Sequence, residues 1–140
     1  MKSTAKGRYG LQFMVGLALE AGRDPVLVDA LAARQDLPPK FLRVLLGPLK
    51  AAGLLEVQRG RNGGCALARH PSRITALQVV EALEGQLGST PQVEGASAQA
   101  VRELWQQGVE AARAVLGGTT LADLAALQQA LEAGSHGYAI

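Results

Sequence analysis

The stretch from Pro38 to Arg69 reads PPKFLRVLLGPLKAAGLLEVQRGRNGGCALAR, and its first half has the three-to-four spacing of an amphipathic helix. The apolar positions predict a buried face made of Phe41, Leu42, Leu45, Leu46 and Leu49. The opposite face carries Lys40, Arg43, Val44, Gly47 and Lys50. Such a helix packs its apolar side on a core and presents cations to an anionic partner. Pro48 is expected to bend the helix or end it early, and Gly53 to stop it.

The second half of the stretch has the pattern of a β-hairpin. Residues 54–58 and 65–69 each alternate apolar positions, and the glycine-rich segment between them contains Asn62-Gly63, a typical hairpin tip. A cationic helix followed by a hairpin with arginines near its tip is the pattern of a winged helix-turn-helix. In that arrangement the helix enters the major groove of DNA, and the wing reaches the backbone or the minor groove.

The residues before this stretch predict two more helices. The first has an apolar face made of Leu11, Met14, Val15, Ala18 and Leu19. The second runs from Val26 to Gln35, and Asp36-Leu37 then bridges to the cationic helix. Lys2, Lys6, Arg8 and the Tyr9 hydroxyl stand near the start of the first helix, where they and the backbone amides could hold a phosphate. An ordinary solvated helix end explains these residues equally well.

Three further elements are predicted after the hairpin. Thr75 and Gln78 form a capping box for a helix over Ala76–Glu84, which carries Leu77, Val80 and Leu83 inward and ends at Gly85. A long helix then has one apolar stripe, which must meet the preceding module or a second chain. The stripe consists of Val101, Leu104, Trp105, Gly108, Val109, Ala112, Val115 and Leu116. Thr120 and Asp123 mark the start of a last helix.

Charge is distributed unevenly along the 140 residues. Residues 1–73 contain 12 Lys and Arg against 5 Asp and Glu, whereas residues 74–140 contain 2 against 7. This asymmetry indicates a polyanion-binding part joined to a part with another role. We therefore predict a DNA-binding domain over residues 1–85, a loop over 86–97, and a dimerisation helix with a C-terminal helix over 98–140.

Several other classes of protein are disfavoured by the residue content. No apolar run is long enough to span a membrane and no signal peptide is evident, so a cytoplasmic location is expected. The single cysteine, Cys65, excludes a disulfide framework and any site built from several thiolates of one chain. His70 and His136 are too scattered for a metal site, so no metal and no cofactor are predicted. No catalytic constellation stands out, so the chain is not expected to be an enzyme.

Several motifs in this order resemble those of a known family. They are Lys2-Ser3-Thr4 with Lys6-Gly7-Arg8-Tyr9, residues 41–54, Arg59-Gly60 with Gly63-Gly64, and the segment from Ile74 to Gly85. Together they resemble the Rrf-two type of bacterial winged-helix transcriptional regulators (IscR/NsrR/CymR-like). The resemblance covers residues 1–85 closely and includes residues 120–124. It implies a mainly α fold, a winged helix-turn-helix of three helices and a two-stranded wing, and a long C-terminal dimerisation helix that pairs with its counterpart.

The same resemblance assigns candidate functional residues. The base-reading positions are Pro39, Lys40, Arg43 and Val44, and the wing positions are Arg59, Arg61 and Asn62. Family members often carry Glu-Gln where this chain has Arg43-Val44, so their operator sequence does not transfer. The full set of predicted DNA-binding residues is Lys2, Lys6, Arg8, Tyr9, Pro39, Lys40, Arg43, Val44, Lys50, Arg59, Arg61 and Asn62. The predicted dimerisation residues are Val101, Leu104, Trp105, Gly108, Val109, Ala112 and Leu116.

Three features of the chain bear on sensing, and the first of them is a departure from the family. Many members hold an iron–sulfur cluster with three cysteines in the loop before the dimerisation helix, but residues 86–100 contain no cysteine or histidine, so a cluster of that kind is excluded. Cys65 is a candidate redox switch, because nearby arginines could lower the pKa of its thiol; a small structural strand residue is the alternative. Trp105 is either part of an effector pocket or simply core.

These observations predict a homodimeric transcription regulator, a repressor, that binds double-stranded DNA at a pseudo-palindromic operator and responds to an unidentified effector. One alternative of a different class stays open. A winged-helix adaptor would use the same basic face on an acidic protein partner. Salt dependence discriminates between them, because each lost phosphate contact with DNA removes about one unit of log–log slope.

Overall fold

The computed structural model of the chain describes residues 5–21, 24–58, 64–88 and 95–137. The helices are α1 (Ala5–Ala21), α2 (Val28–Gln35), α3 (Pro39–Ala51), α4 (Ala76–Glu84), α5 (Gln99–Gly117) and α6 (Leu121–Gly137). The strands β1 (Leu55–Val57) and β2 (Cys65–Leu67) form one antiparallel sheet. None of the helices within these ranges combines the length and the apolar character that a membrane span needs.

Helix α1 lies at the centre of the core and packs on α2, α3, α4 and α6. Its fully buried side chains are Phe13, Met14 and Leu17, so of the predicted apolar face only Met14 is buried, and Leu11, Val15, Ala18 and Leu19 are half-buried. The prediction missed Phe13 and Leu17 because α1 is covered from more than one side. Glycines allow this close packing: a Cβ added at Gly10 would overlap Leu83 of α4, and one at Gly16 would overlap Gln35 of α2.

Helices α2 and α3 form the helix-turn-helix. Helix α2 begins at Val28 rather than at the predicted Val26, because the N–H and C=O of Val26 pair with Cys65, with both N···O distances 2.8 Å. At the end of α2, Asp36 adopts a left-handed conformation with φ of 56°. This turn carries the buried Leu37 into the core, where its N–H donates to the Ala32 carbonyl. The chain then enters α3 at Pro39.

Helix α3 buries the apolar face that the sequence predicts for it. Leu42, Leu45 and Leu49 are at most 1% exposed, and Phe41 and Leu46 are half-buried. Of the two effects predicted for Pro48, the early end is wrong, since α3 continues to Ala51, and the bend stays a prediction. Pro48 lies in the last turn, where the missing N–H costs a single hydrogen bond, and its own carbonyl still accepts from Ala52 at 3.0 Å. Gly53 follows with φ of 74°, as expected for a helix stop.

The wing is a short hairpin backed by the segment before α2. Leu55 lies opposite Leu67 and Val57 opposite Cys65, and the N–H of Gln58 donates to the Gly64 carbonyl at 2.8 Å. The bridge between Val26 and Cys65 adds a third short segment to this sheet. The backbone of Gly64 therefore comes very close to Val26.

Replacing Gly64 with alanine should damage the base of the wing. A Cβ at this position would lie 2.6 Å from the carbonyl oxygen of Val26 and 2.8 Å from its carbonyl carbon, so backbone has to move. We expect Gly64→Ala to lower the free energy of unfolding by about 1–3 kcal/mol, as measured by urea denaturation.

Gly134→Ala is the matched control for this substitution. Gly134 lies within α6, and a Cβ there would meet no atom within 4 Å. Removing a helical glycine should raise stability by up to about 1 kcal/mol. Equal effects of the two substitutions would show that the Gly64–Val26 approach is not tight.

The predicted capping box at the start of α4 is present, and Thr120 and Asp123, which were predicted to mark the start of the last helix, form a second one. Thr75 Oγ1 accepts from the Gln78 N–H at 3.1 Å, while Gln78 Oε1 accepts from the Thr75 N–H at 2.9 Å. Thr120 and Asp123 exchange the same bonds at 3.1 and 2.9 Å. Helix α4 spans the predicted residues, but Ala76, Val79 and Val80 are its buried side chains, and Leu77 and Leu83 are half-buried.

The start of α6 is attached to the core that α1 and α4 form. The N–H of Leu121 donates to the Ile74 carbonyl at 2.9 Å, and the Leu121 side chain is completely buried in that core. The C-terminal part predicted over residues 98–140 therefore contributes a side chain to the core of the predicted DNA-binding domain. The proposed domain boundaries at residues 85 and 97 stay a prediction.

Candidate nucleic-acid interface

The outer face of α3 is open and basic. Pro39, Lys40, Arg43, Val44 and Lys50 are all exposed, and 61% of Val44 is accessible. The apolar side of α3 is packed against the core, which orients this row of side chains away from the molecule. The face thus presents cations together with an aliphatic side chain, the combination that can contact phosphates and thymine methyl groups.

The N-terminal turn of α1 lies beside the start of α3. The rings of Tyr9 and Phe41 make an edge-to-face contact, with centroids 5.3 Å apart and planes at 77°. This contact places the first turns of α1 and α3 side by side; the first carries the exposed residues Lys6 and Arg8, and the second carries Lys40. The structure therefore brings together two cation-bearing helix starts that are more than 30 positions apart in the chain.

One backbone amide near the start of α1 is already bonded within the chain. The Gly7 N–H donates to Glu84 Oε1 at 3.1 Å, so a carboxylate from the end of α4 already occupies this amide. The Gly7 amide is therefore not free for a phosphate, and the rest of the predicted phosphate site stays a prediction. The side chains of Lys6, Arg8 and Tyr9 remain the candidates for backbone contacts here.

Arg43 makes an ion pair that sequence reasoning did not identify. Its Nη2 atom donates to both carboxylate oxygens of Asp29, at 2.8 Å to Oδ1 and 2.7 Å to Oδ2. Asp29 belongs to the first turn of α2, so the pair bridges the two helices of the motif. The sequence contains only a weak signal for this ion pair. An acidic residue 14 positions before an arginine cannot be placed near it until the turn at Asp36 is known.

The remaining predicted DNA-binding residues lie outside the described residues. These are Lys2, Arg59, Arg61 and Asn62. The described part of the wing stops at Gln58 and resumes at Gly64, so the base of the wing is defined and its tip stays a prediction.

Helix α5 presents much of its apolar stripe to solvent. Val101, Leu104 and Trp105 are 62%, 68% and 50% exposed, whereas Val109, Ala112 and Leu116 are half-buried. The interpretation of Trp105 as core is therefore wrong. Gly108 is exposed as well, and a Cβ there would meet nothing within 4 Å. The N-terminal half of the stripe has no covering element among the described residues.

A half-open cavity of about 560 Å³ lies between α1, the end of α2 and α6. Its walls are mainly leucine and valine side chains from α1 and α6, with Arg34 and Gln35 at the end of α2. Trp105 does not line it, so the interpretation of this residue as part of an effector pocket gains no support from the cavity.

Cys65 is fully buried at the start of β2. Its Sγ lies 3.5 Å from the Val26 carbonyl oxygen, and burial raises the pKa of the thiol to about 11. The expectation that arginines lower this pKa is wrong, because Arg69 is exposed and desolvation dominates. A buried thiol of high pKa is unreactive, which favours the structural alternative.

The thiol should react slowly in the folded protein. The ordinary pKa of 9.0 rises to about 11, so the thiolate fraction at pH 8 falls about 100-fold. We expect alkylation by iodoacetamide to be at least that much slower than in urea-unfolded chain, and to accelerate with pH until about 11. The unfolded chain ionises first, so this group's contribution to stability is complete below pH 9 and is lost as pH rises through 11. Rapid alkylation of folded protein at pH 8 would contradict the assignment.

The chain was compared with known proteins. The model of the Rrf2 family, described as "Iron-dependent Transcriptional regulator", matches residues 3–127. The HTH-type transcriptional regulator CymR of Bacillus subtilis is 39% identical over 125 residues, which cover 89% of this chain and 90% of CymR. The HTH-type transcriptional regulator IscR of Cereibacter sphaeroides is 34% identical over 116 residues, covering 76% and 75%.

Solved structures agree with these matches. The structure of CymR, the global cysteine regulator of B. subtilis, superposes with a TM-score of 0.81 at 38% identity and covers 91% of this chain and 98% of that one. The structure of T. potens IscR gives a TM-score of 0.75 at 34% identity and covers 95% and 90%. The predicted winged-helix fold is thereby confirmed.

The iron in the description of the family model does not fit the donors of this chain. The only thiol belongs to Cys65, which is buried in the wing, and the loop before α5 has neither cysteine nor histidine. Among the described residues, no three His, Cys, Asp or Glu side chains are placed to hold a metal ion. An iron–sulfur centre of the thiolate type therefore has no ligand set here.

Proposed function

The chain belongs to the Rrf2 family of DNA-binding transcriptional regulators, a family without enzymatic activity, and we propose that it is a homodimeric repressor that binds a pseudo-palindromic operator. The observation that carries this proposal is the exposed basic face of α3, with the cations of α1 held beside it by the Tyr9–Phe41 contact. In a dimer, two such faces would enter successive major grooves about 34 Å apart.

The exposed stripe of α5 supports the dimer. Leu104 and Trp105 are large apolar side chains that are exposed to solvent in the single chain. A contiguous apolar surface of this kind normally marks a site of contact with another chain. Gly108 and Ala112 on the same stripe would let two helices approach closely. A second copy of α5 has the complementary surface, because a two-fold axis brings the same patch onto itself.

Regulation without a metal would act through the loop before α5. Glu81 on α4 accepts hydrogen bonds from Arg113 on α5 and from the Leu87 N–H, each at 2.9 Å. Arg113 also donates to the Leu87 carbonyl at 3.2 Å. These bonds connect the DNA-binding part, the loop and the dimerisation helix. An effector that shifts the loop would change the angle between the two heads and prevent both from docking at once.

Salt-dependent DNA binding tests the proposal. We expect the protein to bind a labelled mixed-sequence duplex. The logarithm of the binding constant should fall linearly with the logarithm of the salt concentration, with a slope of about −0.9 per phosphate contact. Lys40→Ala should make this slope shallower by about one unit. Fluorescence anisotropy at several salt concentrations measures both quantities.

Arg102→Ala is the matched control, because it removes one cation from α5 and away from the α3 face. Its slope should equal that of the unaltered protein. If the unaltered protein fails to retain any duplex at low salt, the regulator proposal is overturned and the adaptor alternative is favoured.

A further inference from the structure

One arginine on the proposed DNA-reading face of α3 has a carboxylate partner that another helix supplies. Asp29 sits in the first turn of α2, where the helix dipole favours an anion, and both of its oxygens face Nη2 of Arg43. We propose that Asp29 is a positioning residue for base recognition: it holds Arg43 so that the guanidinium meets a guanine in the major groove. This inference rests on the proposed DNA-binding function.

The ion pair leaves Arg43 able to donate to a base. A guanidinium has five N–H donors. Among the described residues, Nε and Nη1 of Arg43 make no hydrogen bond, and only Nη2 faces Asp29. Guanine presents its O6 and N7 acceptors in the major groove, and arginine is their commonest partner. The paired side chain therefore keeps a donor edge for a base while its other edge is occupied.

The value of this pair lies in placement rather than in folding stability. The side chains of Arg43 and Asp29 are 62% and 61% exposed, and ion pairs in water contribute little to stability. Arginine, however, has many rotamers, and a side chain that is already oriented loses less freedom when it binds. Entry into the groove removes water, which strengthens the attraction between the two charges.

The carboxylate also reduces the attraction of Arg43 for phosphates. An unpaired arginine at this position would be drawn to the nearest backbone phosphate, a contact that carries no sequence information. Asp29 balances the charge locally and repels phosphates itself. The pair thus directs Arg43 towards a base edge instead of towards the backbone.

The chain contains a matched control pair. Glu20 on α1 and Arg34 on α2 also form an exposed ion pair with a separation of 14 residues, but Arg34 lies in the last turn of α2 and Glu20 is not on α3. Glu20→Gln and Asp29→Asn remove the same charge from similar pairs. Any difference between the two variants then reflects the position of Asp29 beside the reading arginine.

The test is selection of binding sites from a random-sequence duplex library, followed by affinity measurement on the selected site and its single-base variants. We expect the unaltered protein and Glu20→Gln to select the same guanine in each half-site. Arg43→Ala should lose roughly 5- to 150-fold preference for this guanine. Asp29→Asn should lose about 3- to 10-fold at the same base pair and bind mixed-sequence duplex equally well or more tightly.

The outcomes separate this inference from the function on which it rests. If Asp29→Asn keeps the full preference, sharpens it, or changes a different base pair from Arg43→Ala, Asp29 does not position Arg43. The inference is likewise overturned if the unaltered protein holds DNA but shows no preference that depends on Arg43. If the unaltered protein holds no DNA in the same assay, the proposed function itself fails.

Discussion

Leu104→Glu is expected to leave the protein folded but monomeric. The Leu104 side chain is 68% exposed in the single chain, so its replacement removes few contacts from the core. At a two-fold interface the same position would bury two carboxylates close together, which neither water nor a partner charge would offset. Sedimentation measurements should therefore give the mass of one chain across the micromolar range.

The same substitution should weaken DNA binding strongly. Two linked heads bind one operator with an avidity that exceeds the affinity of one head by about 100- to 10,000-fold, and a monomer loses this factor. Gln106→Glu is the control, because it adds an identical charge on α5 outside the apolar stripe and should remain dimeric. A Leu104→Glu protein that stays dimeric with full affinity would refute the assignment of α5 as the interface.

Leu121→Ala should be the most destabilising of the single substitutions considered. Leu121 is completely buried at the first position of α6, within the core that α1 and α4 form. Truncating it leaves a cavity, and buried leucine-to-alanine changes cost about 2–5 kcal/mol. The free energy of unfolding from urea denaturation gives the value directly.

Two choices make that measurement specific. It should be done in the Leu104→Glu background, since the stability of a dimer depends on protein concentration. Leu131→Ala, at a position on the same helix that is 60% exposed, is the control and should change stability by no more than about 0.5 kcal/mol. Similar losses for the two variants would mean that the first turn of α6 is not part of the core.

The local elements were predictable because short-range chemistry specifies them. The capping boxes at Thr75 and Thr120 depend on residues three positions apart, and the structure contains both. The spacing of leucines in α3 depends on one helical period, and Leu42, Leu45 and Leu49 are buried as expected. The fold class followed from this series of local signals in their order along the chain.

The errors arose where distant segments meet. Val26 was expected to be helical, but it pairs with Cys65 across 39 positions. Backbone amides at the start of α1 were expected to be open to a phosphate, but Glu84 occupies that of Gly7 from 77 positions away. The pKa of Cys65 was expected to fall because of nearby arginines, but burial by the surrounding core raises it.

The amino-acid sequence by itself determined the helices, the wing, the basic side of α3 and the lack of thiolates for a cluster, because periodicity, capping and residue chemistry act within a few positions. Only the tertiary structure decided which cations share a surface, which carboxylate meets Arg43, and which apolar stripe stays exposed. These are properties of residues that folding brings together from separate elements. Their positions depend on how whole helices pack, which no local pattern encodes.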